Sequence, residues 1–141
     1  MMYASGAPGL ATRPLYDSTD SLLRFAMRAD ATLTGLCGLA IAFLADPLSS
    51  LTGLTSLQEY SLGAFFVLGG LVVFSLAAAP NLRRVGMGVV VANVVFTLGA
   101  IVAAEALPLP ATGIAATLAG GVYTAAFAGL QYWGVRRLET A

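Results

Sequence analysis

The chain has no histidine, no lysine, a single cysteine, and charged side chains at only 10% of its 141 positions. Each shortage removes a class of chemistry. Without imidazole there is nothing to ligate haem or metal by histidine, to relay protons near neutrality, or to activate a serine or threonine nucleophile. With Cys37 alone, neither a disulfide within the chain nor a redox or metal-binding cysteine pair can form. "GLCG" at 35–38 is not a phosphate loop, because no strand pattern precedes it. The net charge is zero, which offers nucleic acid no bulk attraction. The expectation is a protein with no catalytic residue, metal or cofactor site and no nucleic-acid partner.

The scarcity of charge also sets the solvent. Soluble domains usually carry about 25% charged residues. Here 58% of residues are hydrophobic and the mean hydropathy is +0.85, with the apolar residues gathered in long blocks. Residues 1–16, rich in glycine, proline and alanine, read as a disordered tail rather than a signal peptide, since no apolar core precedes Leu22. Four blocks follow, with helices expected at 18–45, 57–79, 84–106 and 112–136. Asp17 or Ser18 caps the first and Asp46-Pro47 ends it; Ser56 and Glu59 have capping-box spacing at the second, and Pro80 stops it. Pro108 and Pro110 close the third. Each block spans about 30 Å of hydrocarbon at 1.5 Å per residue. Residues 17–138 therefore read as an all-α, four-helix transmembrane bundle, up-down-up-down. Between the first two blocks, Leu48, Leu51, Leu54 and Leu57 allow either a short interfacial helix or a loose loop resting on lipid.

The first block carries charge where a membrane helix should not. Its uncharged part, Ala31 to Ala45, covers only about 22 Å and cannot cross. Arg28 and Asp30 must therefore lie inside one continuous helix. Two positions apart, they point about 200° away from each other and cannot pair. Arg28 continues a stripe with Asp20 and Arg24 and reaches headgroups. Asp30 is too short to do so, shares a face with Met27, Thr34 and Cys37, and must face the bundle, paired or protonated.

Arginine placement orients the chain. With four crossings, Arg13, Arg24, Arg28, Arg83, Arg84, Arg136 and Arg137 all fall on one side, and the opposite loops hold none. By the positive-inside rule both termini are cytoplasmic. Arg24, Arg28, Arg83, Arg84, Arg136 and Arg137, with Trp133, are the expected interfacial anchors. Gly35 and Gly38 in the first block, and Gly121, Ala125 and Gly129 in the fourth, are the expected helix-packing positions, within the chain or in self-association. The sparse polar residues Asp30, Asn93 and Gln131 fall at similar depths in the arginine-bearing half; with Thr34 they form an expected intramembrane polar cluster.

"LRFAMRADATLTGLCG", "VVVANVVFTLG" and "AGLQYWGVRR" resemble a widespread family of uncharacterised bacterial four-helix inner-membrane proteins, DoxX-like in size and topology. The matching residues are Arg28, Asp30, Asn93, Leu130, Gln131, Arg136 and Arg137; Gly129 stands where many relatives have a carboxylate. The resemblance implies the fold and a bacterial inner-membrane location, and brings no activity. Three readings stay open. One is a non-enzymatic accessory or scaffold subunit, with the bilayer and other membrane subunits as partners. Another is a small transporter or oligomeric pore for a lipid or small solute, using the polar cluster. The third is a lipid- or quinone-linked enzyme.

Overall fold

The computed structural model describes residues 18–139. The expected tail at 1–16 and the cap at Asp17 lie outside the described residues. Five helices follow in order: α1 Ser18–Phe43, α2 Ala45–Thr52, α3 Ser56–Leu76, α4 Leu82–Ala106 and α5 Ala111–Glu139. Among the described residues there is no strand. By length and composition α1, α3, α4 and α5 can each cross a membrane. The shortest of them, α3, has 21 residues, about 31 Å. Large apolar side chains cover the outside, with Phe43 83% and Val122 70% exposed. Water does not tolerate so continuous an apolar surface, whereas lipid requires it. The protein is a multi-pass helical membrane protein.

The first helix runs unbroken through Arg28 and Asp30, as the length argument requires. It stops at Phe43 rather than at residue 45. The cause is Pro47, which has no N–H for the Phe43 carbonyl and whose ring would collide with it. The chain turns at Leu44 and restarts as α2, where Pro47 sits harmlessly in the first turn. The leucine-rich segment between the first two blocks is thus a helix, but only as far as Thr52. Gly53 ends it with φ 84°, donating its N–H to the Ser49 carbonyl at 3.2 Å. A Cβ on Gly53 would also lie 2.6 Å from the Pro110 ring, so glycine is required there twice over.

The start of α3 corrects the expected cap. The capping box is Thr55 with Gln58, not Ser56 with Glu59: Gln58 N–H donates to Thr55 Oγ1 at 3.1 Å and Thr55 N–H to Gln58 Oε1 at 2.9 Å. At its other end α3 stops at Leu76, three residues earlier than 79. The approach to Pro80 tightens the chain, so Ala78 and Ala79 donate to the carbonyls of Ser75 and Leu76 three residues back.

Helices α1 and α3 pack along their length, as do α4 and α5, and α1 joins the two pairs through α5. Adjacent in sequence, α3 and α4 touch little; Phe65 and Phe96 meet across that seam with ring centroids 5.7 Å apart. The close seams are those lined by small residues. A Cβ on Gly38 would sit 2.5 Å from the Gly63 carbonyl oxygen, and one on Gly70 2.6 Å from that of Ala31. Between α1 and α5, a Cβ on Gly134 would lie 2.9 Å from the Leu23 Cα. Backbones come this near only where at least one of the facing residues lacks a side chain.

Two of the expected packing positions are not at a seam. Gly121 faces Ala100 of α4, but Ala125 and Gly129 lie on the exposed side of α5. The reason is helical drift: an i+4 series rotates about 40° per step, while the buried face of α5 follows Gly121, Ala128, Gln131 and Val135. Gly35 does contribute, since a Cβ on Gly70 would lie 3.1 Å from its backbone nitrogen.

Candidate intramembrane polar site

Asp30 is 5% exposed, Asn93 8% and Gln131 fully buried. Each lies one turn inside the apolar cluster at the arginine-bearing end, which includes Leu23, Met27, Val89 and Val135. Met27 leads to Asp30 at i+3, Val89 to Asn93 at i+4, and Val135 back to Gln131 at i−4. These spacings keep each polar residue on its helix's buried stripe. The polar layer therefore sits directly on the apolar one, at the meeting of α1, α4 and α5.

The hydrogen bonds converge on the Asp30 carboxylate. Asn93 Nδ2 and Gln131 Nε2 both donate to Oδ2, each at 2.8 Å. The second proton of Asn93 Nδ2 goes to Gln131 Oε1 at 2.9 Å, which closes a triangle of side chains from three helices. Oδ1 lies 3.0 Å from Thr34 Oγ1 and 3.0 Å from the Tyr123 hydroxyl. Tyr123 also reaches the Asp30 backbone carbonyl at 2.9 Å. Every side chain facing the carboxylate offers a donor, which suits a group that accepts on both oxygens. No cation takes part: among the described residues the ion pair of this region is Arg24 with Asp20, two turns away. A buried carboxylate without a counter-charge is tolerable only when its acceptor capacity is this fully used.

The structure thus brings Asp30, Thr34, Asn93 and Gln131 together. It adds Tyr123, whose signal in the sequence was its place two turns before Gln131 on the same helix. One turn beyond Asn93, Thr97 Oγ1 meets Thr124 Oγ1 at 2.7 Å and donates to the Asn93 carbonyl. Cys37, two turns on from Asp30 along the same face of α1, is exposed on the apolar surface.

The arginines divide. Arg28 is exposed, consistent with an interfacial position. Arg24 is half-buried and does more than reach outward. Its Nε lies 3.3 Å from Asp20 Oδ2, and its Nη1 donates to the carbonyl of Ala77 at 2.5 Å. It thereby ties α1 to the end of α3, whose last carbonyls form the negative pole of that helix. Trp133 and Tyr132 are exposed near the end of α5, and Arg136 Nη1 lies 3.4 Å from the Tyr132 hydroxyl. Arg83 and Arg84 open α4, and Arg137 closes α5 beside Arg136.

A second buried carboxylate was not legible. Glu59 is 2% exposed at the opposite end of the bundle, where Thr52 Oγ1 donates to its Oε1. Thr112 Oγ1 donates to the Leu51 carbonyl beside it, so α2, α3 and α5 are pinned at one point. The usable signal was spacing: Glu59, Gly63 and Gly70 stand at i, i+4 and i+11, on one face of α3. Thr52→Val keeps the shape and removes the donor, leaving a buried carboxylate oxygen unpaired. It should lower stability by about 1–3 kcal/mol in detergent unfolding, whereas Glu59→Gln should be close to neutral. Equal stability of Thr52→Val and the parent would show that this contact holds nothing.

Among the described residues no group of three or more His, Cys, Asp or Glu side chains is placed to hold a metal ion. No family model, characterised relative or solved structure matches this chain. The reading of its role rests on its own geometry.

Proposed function

We propose that the protein is a non-enzymatic accessory or scaffold subunit that packs against a larger membrane complex. The observation that carries this reading is the closure of the polar site on itself. The Asp30 carboxylate spends its acceptor capacity on Thr34, Asn93, Tyr123 and Gln131, as a lock between helices would. Ala125 and Gly129 lie on the outward side of α5, where a partner helix can approach closely. The test is extraction in a mild detergent followed by mass spectrometry of what co-purifies. A larger membrane protein in fixed stoichiometry is the expected result; a homo-oligomer carrying small molecules would overturn it in favour of a pore or transporter.

The same proposal places the chain in a bacterial inner membrane with both termini in the cytoplasm. Its support is the gathering of Arg24, Arg28, Arg83, Arg84, Arg136 and Arg137 at one end. In a Cys37→Ser background, an impermeant thiol reagent applied from outside should label Ser50→Cys and spare Ser5→Cys and Thr140→Cys. The opposite pattern reverses the orientation.

The transporter reading keeps one observation in its favour. An ionisable group surrounded by the Thr34 and Tyr123 hydroxyls is also what a proton-coupled carrier would hold within the membrane. Asp30→Asn separates the two readings, as argued below.

A further inference from the structure

Arg28 and Thr32 stand one turn apart on the outward side of α1, and both are exposed. With Phe25 and Leu36, 64% and 58% exposed, they follow at i, i+3, i+7 and i+11 and so make one face. Among the described residues neither Arg28 nor Thr32 has a side-chain partner. The two acids of α1 are engaged elsewhere, Asp20 with Arg24 and Asp30 with the amides of Asn93 and Gln131. The hydroxyl of Thr32 also stands apart from others on the outside of the bundle. Ser61 and Ser75 donate to carbonyls four residues back in their own helix, whereas Thr32 makes no such bond.

Depth decides what these groups require. Helix α3 has 21 residues, about 31 Å, scarcely more than the hydrocarbon it crosses. Its end at Leu76 therefore marks the edge of the hydrocarbon on the arginine-bearing side. A Cβ on Gly70 would lie 2.6 Å from the Ala31 carbonyl oxygen, which sets Ala31 about 9 Å inside that edge. Thr32 is deeper still. Arg28, about 6 Å nearer the edge than Thr32, can stretch to a lipid phosphate, but the short Thr32 side chain cannot. An unpaired polar group in hydrocarbon is costly, and arginines within spanning helices are almost always paired. Guanidinium and hydroxyl both donate here, and a carboxylate, which only accepts, can take a hydrogen bond from each.

We propose that this face of α1 docks a spanning helix of the larger subunit, and that an Asp or Glu on that helix pairs with Arg28 and Thr32. This docking presupposes the subunit reading above.

The full-length chain with a photoreactive benzophenone side chain in place of Thr32 is illuminated in native membranes, and the adduct is sequenced. The expected adduct is a spanning segment of another membrane protein, with Asp or Glu within about one turn of the cross-linked residue. Arg28→Gln should cut co-purification of that protein by about tenfold or more. Arg28→Glu should abolish it, and a reversal of charge at the partner's acid should restore it. Arg84→Gln, at the same end of the bundle but on α4, should leave it unchanged. Circular dichroism checks that each variant folds, and Thr32→Val, with a smaller loss expected, replaces Arg28→Glu if that does not. An adduct confined to lipid or to a second copy of this chain, undiminished co-purification from Arg28→Gln, or no rescue by the charge reversal would overturn the proposal. The two failures are distinguishable. A parent chain that brings down no other membrane protein overturns the subunit reading as well, whereas a partner kept by Arg28→Gln overturns this docking face alone.

Discussion

Asp30→Leu should destabilise the bundle by roughly 2 kcal/mol, since interhelical hydrogen bonds in lipid average about 0.6 kcal/mol each and the side chains of Asn93, Tyr123 and Gln131, on other helices, lose their acceptor together. Two of those are the buried amides of Asn93 and Gln131, which would keep each other but lose the carboxylate between them. Leaving buried donors unmatched costs more than deleting both partners of a bond. Asp30→Asn should cost under about 1 kcal/mol. Its carbonyl oxygen can take the place of Oδ2 before Asn93 and Gln131, and its amide can donate to the Thr34 and Tyr123 oxygens, which both accept. Reversible unfolding in mixed micelles, followed by circular dichroism, measures both. If Asp30→Leu is as stable as the parent, the network is not what joins α1 to α4 and α5. The Asn variant also distinguishes the functional readings. A structural lock survives it with partner binding intact, whereas a proton carrier would lose transport while keeping its fold.

The second large effect is expected at neighbouring glycines. Gly70→Ala should lower stability by about 1–3 kcal/mol, the usual cost of overpacking, and Gly69→Ala should be neutral or stabilising by up to about 1 kcal/mol through helix propensity. The two residues are adjacent on α3 and differ only in what they face. A Cβ at Gly70 would meet the Ala31 carbonyl oxygen at 2.6 Å, while one at Gly69 would meet nothing within 4 Å. The obstruction at Gly70 is backbone, so no rotamer change relieves it and the α1–α3 seam must open. Gly38→Ala and Gly63→Ala should behave like Gly70→Ala, because each Cβ would press on the other helix's carbonyl, at 2.5 Å and 2.6 Å. The same micelle unfolding assay applies. Indistinguishable stabilities for Gly70→Ala and Gly69→Ala would mean that α1 and α3 are not in backbone contact.

Much of this was readable from composition and spacing, because a membrane imposes simple requirements. Apolar length decides what can cross, and proline decides where a helix stops. The deficit of Ala31 to Ala45 placed Arg28 and Asp30 within one helix, as observed in α1. Depth along each helix brought Asp30, Asn93 and Gln131 to a common level before any contact was known. Helix ends were less exact: Pro47 broke α1 two residues early through the Phe43 carbonyl, and Pro80 tightened the end of α3.

Which faces meet belonged to the tertiary structure alone. Small residues are spread over all four spanning helices, so glycine spacing could not say that Gly38 meets Gly63 while Gly129 lies open. The i+4 series through Ala125 drifts away from a seam whose true positions alternate three and four apart. Glu59 looked like a capping residue because local spacing cannot reveal that Thr52, on a separate helix, waits for its carboxylate. Arg24 looked like an anchor to headgroups because nothing in the sequence shows the end of α3 beside it. Sequence by itself determined that this chain crosses a lipid bilayer, about where its helices run, and which polar residues share a depth, since those follow from hydrophobic length and helical rise. Only the packed helices decided which of those residues touch, because side-chain direction and backbone approach depend on neighbours far along the chain.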